Sequence, residues 1–431
     1  MEQSGMPDAK GRRKRLLLVS TRLFWPADAG HRILLYNYCR GLCDHYHYDI
    51  YMYSFLEYGQ CYDEKDKPYF IKKVYKASQP GKLQVLLNIL RHSLIGRKRW
   101  SFQSSLYYSK YNEKKIEELI RKIKPDAVMM DLDRLSRYYI SLKDFKGLKT
   151  IFMEDALSKR YLRQIKAVRN DSGISGRYEG YLPKWVNRII NAGFLRNFIL
   201  KEESKRLESE ELEAAKNFDA LIYVNRFETG DMNRRSGRNN AYTVTMGADC
   251  DYFGEDIKVE KIPNTLSFVG NMTVAANADS VRMIMDKIIP LIPSKPVIHF
   301  IGEAPDPLRE EYRDDPRCVF EGTVKDIRKY VKETCVVLSP VAYGTGVKTK
   351  TIEGMAMSMP VVTNYLGIDG LSAEPGKDLL MSDDFREMAQ MVEELLHDEK
   401  KREMLGKNGY EYARRMHRWE DIYKVFGEIG F

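Results

Sequence analysis

Residues Ser339 to Asn364 read SPVAYGTGVKTKTIEGMAMSMPVVTN. An apolar run ends at Ser339, glycines punctuate a turn, a helical stretch follows, and MPVVTN reads as another strand. Strand, glycine-rich turn, helix and strand make one step of a doubly wound α/β sheet. Gly344 and Gly346 allow backbone conformations closed to other residues, and Gly346 lets the chain approach a ligand closely. The turn leads into a helix whose first amides are unpaired and favour phosphate. Lys348 and Lys350 bring full positive charge to the same turn, and Glu353 can accept hydrogen bonds from sugar or ribose hydroxyls. The set suits a nucleotide diphosphate attached to a sugar. A capped helix with surface lysines explains the same residues equally well. The Walker pattern GxxxxGK[ST] is absent.

The same alternation extends in both directions. KRLLLVS near the start predicts a strand over Arg15–Ser20, followed by a loop with Pro26, Asp28 and Gly30 and a helix over His31–Leu42. HYDIYMYSF, PDAVMMD, KTIFMED and DALIYVN read as strands, with KKIEELIRKIK and SKRLESEELEAAKNF as helices between them. A second α/β series begins near Asn264, with strands at NTLSFVG, KPVIHFIG, RCVFEGT and CVVLSP and a helix at VRMIMDKIIPLI. The segment from Leu157 to Ile199 breaks the rhythm and is basic and aromatic. Two doubly wound domains are therefore expected, linked just after GADCDYFGEDIKVEKIP.

The chain has 431 residues and a formal net charge of +9, which invites an anionic partner. Nucleic acid, phosphorylated ligands and anionic membrane share that attraction. Its six cysteines show no CxxC spacing and read as free thiols. LLLVS is too short for a secretory or membrane-spanning segment, so a cytoplasmic protein is expected. The seven histidines, His31, His45, His47, His92, His299, His397 and His417, form no metal-binding pattern. GxGxxG is missing after the first strand, against a dinucleotide oxidoreductase.

The stretch from Gly344 to Leu371 resembles the donor-binding signature of the retaining GT-B glycosyltransferases, and within them the family-4 group that assembles bacterial polysaccharides. That signature, G-x-G-x-[RK]-x-K-x-x-E, is supplied by Gly344, Gly346, Lys348, Lys350 and Glu353. SFVGNMTVAANADSVRMIMDKIIPLI and GTVKDIRKYVKETCVVLSP resemble other parts of the family's nucleotide domain. ESEELEAAKNFDALIYVNRFETGDM and VTMGADCDYF resemble the end of its first domain. The resemblance spans nearly the whole chain and is weakest in the middle of the first half. It implies two Rossmann-like domains facing across a cleft, with a C-terminal helix returning to the first. The expected division is residues 1–255 with 416–431 on the acceptor side, and 256–415 on the nucleotide-sugar side.

Residue by residue, the resemblance implies donor contacts at Gly30, Gly270, Gly322, Val324, Gly344, Thr345, Gly346, Val347, Lys348, Lys350 and Glu353. Lys348, Lys350, Glu353 and Asp155 form the implied catalytic set. Thr345 stands where many members carry a first glutamate seven positions before the second. Gly322, Thr323 and Val324 fall where the family receives the base, with Glu303 a candidate neighbour. Asp155 and Ser158 match an acid-and-serine pattern loosely. Asp131, Asp133, Glu154 and Asp155 end predicted strands, where helix capping explains carboxylates equally well. Gly247, Asp249 and Phe253 fall at the family's hinge turn, and MHRWEDIYKVF is the returning helix.

The implied reaction is transfer of a sugar, with retained configuration, from a UDP- or GDP-linked donor to a glycan or polyprenyl-linked glycan. Lysines and helix amides would stabilise charge on the leaving phosphate. No metal is expected at the donor site, no tightly bound cofactor, and no nucleic acid. Peripheral contact with the inner face of an anionic membrane is expected through LPKWVNRIINAGFLRNFILK around Lys184 and Trp185, or through LQVLLNILRHSLIGRKRW; packing in the core is the alternative for both. The competing readings are a GT-B nucleotide-sugar epimerase and a noncatalytic nucleotide-sugar binder.

Overall fold

KRLLLVS forms the first strand, β1 (Lys14–Ser20), and its last five residues are buried. A parallel sheet covered on both faces demands such an unbroken apolar run. The computed structural model describes residues 12–27, 30–56, 60–95, 100–166, 193–344 and 346–431. The chain divides into two compact units, Met1–Val244 with Tyr423–Phe431, and Thr245–Ile422.

Unit 1 holds seven parallel strands: β1, β2 (Tyr48–Ser54), β3 (Ile71–Lys76), β4 (Ala127–Asp131), β5 (Leu148–Glu154), β6 (Ala220–Tyr223) and β7 (Ala241–Thr243). Their order is β3-β2-β1-β4-β5-β6-β7. Lys14 pairs with Tyr48 and Leu16 with Ala127, so β1 is central and the winding reverses between β1 and β4. The helix Lys110–Ile123 shows why these crossovers form where they do. Ser109 caps its first turn through Asn112 N, and Lys124 ends it in a left-handed conformation. Its Ile116, Leu119 and Ile123 join Leu17, Val19, Val128 and Met130 in one core.

The last helix, Trp419–Ile429, begins after a break at Arg418 that ends the preceding helix, Glu399–His417. From Tyr423 onward it belongs to unit 1, as the returning segment implied by the resemblance. Phe426 is fully buried there, with its ring 5.4 Å from Tyr38 and 6.4 Å from Tyr46. Tyr46 Oη donates to the Tyr423 carbonyl at 2.7 Å.

Unit 2 holds six parallel strands: β8 (Thr265–Val269), β9 (Val297–Ile301), β10 (Cys318–Gly322), β11 (Val336–Leu338), β12 (Val361–Thr363) and β13 (Leu380–Met381). The order is β10-β9-β8-β11-β12-β13, reversing between β8 and β11. Leu266, Phe268, Ile298, Phe300, Val336 and Val362 pack with Met388, Val392 and Leu405 in its core. The helix expected at VRMIMDKIIPLI starts earlier, at Ala275, and loosens into a π-turn over Ile284–Ile288 and a 3-10 turn over Ile289–Leu291. Pro290 lacks the amide needed to continue it.

Candidate functional site

In an open α/β sheet, ligands bind beyond the carboxyl ends of the strands where the winding reverses. In unit 2 that point lies between β8, which runs into Gly270 and Asn271, and β11, which runs into the turn ending at Lys348. The sequence signature therefore sits where the topology puts a ligand.

Gly344 and Gly346 have φ of +132° and +79°. A Cβ on Gly346 would meet nothing within 4 Å, so the backbone conformation alone calls for glycine there. Thr345 lies outside the described residues. Val347 is partly buried. The helix Thr349–Ala356 starts from Lys348, which supplies no capping side chain. Its first amides are thus left for another acceptor. One face of this helix, with Ile352, Met355 and Ala356, is buried. Gly354 lets it lie close to the sheet, since a Cβ there would come within 3.1 Å of Val361. Lys350 and Glu353, three residues apart, share a different face.

Lys350 Nζ donates to Asn277 Oδ1 at 3.0 Å and lies 4.2 Å from the centre of the Phe268 ring. Burial, reinforced by the charge of Lys348, lowers its ammonium to a pKa of about 7. Lys348 Nζ donates to the Gly346 carbonyl at 2.6 Å, which ties the turn to itself. Burial alone raises the Glu353 carboxyl to about 7, and no described side chain or amide bonds to it. Both groups are partly buried, so each can meet a ligand.

Asn277 links this turn to the strand β8. Its Nδ2 donates to the Asn271 carbonyl at 2.8 Å. Gly270 leaves room for it, because a Cβ would come within 3.2 Å of that amide nitrogen. Met272 N donates to the Glu303 carbonyl, and Gly302 N to the Gly322 carbonyl, tying the ends of β8, β9 and β10 together. Gly302, with φ of +131°, would drive a Cβ to 2.2 Å from the Gly270 carbonyl oxygen. Gly322 has φ of +70°, and the next residues, Thr323 and Val324, are exposed and partly buried. His299 stands in β9 and bonds Glu321 at 2.7 Å. The described residues of the predicted set from Gly270 to Glu353 thus lie at one end of one sheet. Asn277 was not singled out in the sequence, where it reads as an ordinary helix residue.

The candidates in unit 1 have other partners. Gly30 is the first residue of the helix Gly30–Asp44, and a Cβ there would meet nothing within 4 Å. Asp28 lies outside the described residues. Asp155 is buried and accepts from Arg160 Nε at 2.8 Å. Ser158 N and Oγ donate to Glu211 at 3.0 and 2.8 Å. Asp131, at the end of β4, is held by Ser20 Oγ and His31 Nε2, both at 2.8 Å. Burial alone would raise its carboxyl, but His31, Ser20 and Arg22 outweigh that and hold it at about 2. Asp133, two residues on, is pushed up to about 7 by burial, and Glu211, Glu210 and Asp155 add to it against Arg134. The His31–Asp131 pair escaped the sequence reading because 100 residues separate its members.

Residues 263–398 match the family model described as Glycosyl transferases group 1. No curated protein matches the chain in sequence. Sucrose-phosphate synthase from Thermosynechococcus elongatus is similar in structure at TM-score 0.64 and 16% identity, over 97% of this chain and 98% of that one. HepE from Anabaena, in complex with UDP and glucose, is similar at 0.60 and 12%, over 97% and 99%. A TarM variant from S. aureus, in complex with fondaparinux, alpha-GlcNAc-glycerol and UDP, is similar at 0.58 and 10%, over 96% and 99%. The chain has the GT-B fold, and its unit 2 site lies within the segment that matches the group 1 glycosyl transferases.

Proposed function

We propose that this chain is a retaining glycosyltransferase that moves a sugar from a nucleotide-diphosphate donor to a glycan or lipid-linked glycan acceptor. The observation that carries the reading is the pairing of Lys350 and Glu353 on one helix at the winding reversal of unit 2, behind a turn made by Gly344 and Gly346. Cation and amides fit a diphosphate, and the carboxylate fits a ring of hydroxyls. UDP in the HepE and TarM complexes supports a UDP-linked donor.

In this reading Lys348, Lys350 and the first amides of the helix Thr349–Ala356 meet the phosphates. Charge grows on the leaving phosphate in the transition state, and fixed donors there lower the barrier without reorganising. Val347, Gly270, Gly322 and Val324 line the donor's path, and Thr345, Gly30 and Asp155 are proposed on the resemblance alone. Among the described residues no group of three or more His, Cys, Asp or Glu could hold a metal.

Calorimetry across UDP, GDP and NADH tests the binding half of the proposal, and a donor screen against lipid-linked acceptors tests the reaction. Binding of UDP or GDP with glycoside formation is the expected result. NADH binding without nucleoside diphosphate binding overturns the reading. Release of an altered nucleotide sugar with no glycoside would instead assign an epimerase.

A further inference from the structure

The helix Lys82–Asn88, prolonged by a π-turn over Ile89–Ile95, turns one face to the protein and leaves the other bare. Val85, Asn88 and Ser93 are buried, and Asn88 Nδ2 donates to the carbonyls of Ser105 and Tyr108 at 3.0 and 2.7 Å. His92 stacks on Trp100 with ring centres 4.1 Å apart. Leu83, Leu86, Leu87 and Leu90 are 71, 53, 52 and 40% exposed. At about 100° per residue, that spacing puts all four on one arc of about 100°. Four leucines in one contiguous stripe are not the scattered apolar residues of an ordinary surface.

The charge around the stripe selects its occupant. Between Asp66 and Glu113 the chain contains ten Lys or Arg and no Asp or Glu. Lys82 and Arg91 flank the leucines and are exposed. An apolar stripe edged by cations, with no carboxylate nearby in the chain, matches the boundary of an anionic bilayer, where acyl chains take the leucines and headgroups the cations. A protein partner of ordinary surface composition would place both signs of charge against this rim.

We infer that the face formed by Leu83, Leu86, Leu87 and Leu90 docks this protein peripherally on anionic lipid. The docking rests on the proposed lipid-linked acceptor for its role, since it holds unit 1 where such an acceptor is anchored. The expected membrane contact around Lys184 and Trp185 lies outside the described residues. Phe198, further along the same segment, is 57% exposed. No helix among the described residues is long and apolar enough to cross a membrane.

Flotation of the full chain with phosphatidylglycerol-containing vesicles, against pure phosphatidylcholine, tests the inference. The wild type should float with the anionic vesicles and release as salt rises. Leu86→Gln with Leu87→Gln, and separately Leu83→Gln with Leu90→Gln, should each weaken partitioning by roughly tenfold or more. Lys82→Gln with Arg91→Gln should weaken binding to the anionic vesicles and flatten its salt dependence. Hydrogen exchange in the β1 and β4 core reports an intact unit 1 in each variant, and UDP binding, followed by calorimetry, depends on unit 2, so failure of the membrane proposal and failure of the donor proposal read out separately. Wild-type protein that ignores anionic vesicles, or leucine variants that float as well as it does, overturn the inference. A dimer in sedimentation that the leucine variants break apart, without vesicle binding, would overturn it too and give the face to a second copy.

Discussion

Lys350 is a lysine lowered to about 7 beside an asparagine and a phenyl ring. A diphosphate favours its charged form, so above about pH 7 binding must take up a proton, and affinity should fall by up to about tenfold per pH unit. Calorimetry of UDP in buffers of different ionisation enthalpy measures that uptake directly. Lys350→Ala should lose binding by roughly thirtyfold to several thousandfold, from about 2–5 kcal/mol for a desolvated charged hydrogen bond. Its remaining pH dependence should flatten.

Glu353 behaves in the opposite sense. Its folded pKa of about 7 exceeds the usual carboxylate value, so the folded chain keeps a proton that the unfolded chain releases. The stability tied to that proton is complete at about pH 4 and is lost as pH rises through about 7. Glu353→Gln carries no such loss and should be more stable than wild type by about 1–3 kcal/mol above pH 7, with no gain near pH 4. Urea titrations at the two pH values check it. A carboxylate kept at a cost in stability is expected of a binding group. With a dideoxy nucleotide the binding penalty of this variant should shrink if its partner is ribose.

At the scale of elements, the helix Gly193–Asn217 shows how charge goes inside. Its Glu210 accepts from Ser101 N and Oγ at 2.9 and 2.6 Å and from Arg137 Nη2 at 2.9 Å. Glu203 accepts from Phe102 N and Gln103 N at 3.0 and 3.2 Å. Glu211 does the same for Ser158. Each carboxyl group thus meets the amides that open another helix, Phe102–Tyr107 or Leu157–Lys166. Glu210→Ala leaves the Ser101 amide without its acceptor, while Arg137 keeps Glu213, so it should cost about 1–3 kcal/mol, read by denaturant unfolding. Burial holds Glu203 at about 8, against the pull of those amides, so it is largely neutral at pH 7 and Glu203→Gln should change stability little. The sequence SKRLESEELEAAKNF reads as a charged helix; nothing in it says which glutamates face inward.

For the whole molecule, the return of the chain to unit 1 is a packing event. Gly41 leaves room for Tyr423, since a Cβ there would lie 2.4 Å from that ring. Phe426 fills the space beside Tyr38 and Phe431. Phe426→Ala should destabilise unit 1 by about 3–5 kcal/mol. Hydrogen exchange should show faster opening around Tyr38 and β2, with the core of unit 2 unchanged, because the lost contacts all lie in unit 1.

The sequence by itself determined the α/β class, most strands, and the signature from Gly344 to Glu353. Those features are local: buried parallel strands need unbroken apolar runs, and a glycine at positive φ announces its turn. The strands the sequence did not mark, β3, β7 and β13, lie at sheet edges, where partial burial asks for no unbroken apolar run. Only the tertiary structure brought Asn277 to Lys350, His31 to Asp131, and Glu210 to Arg137. It alone separated the bare Leu83, Leu86, Leu87 and Leu90 from the buried Val85. Pairing and burial across 73 or 100 positions depend on strand order and helix packing, which leave no periodic trace in the chain.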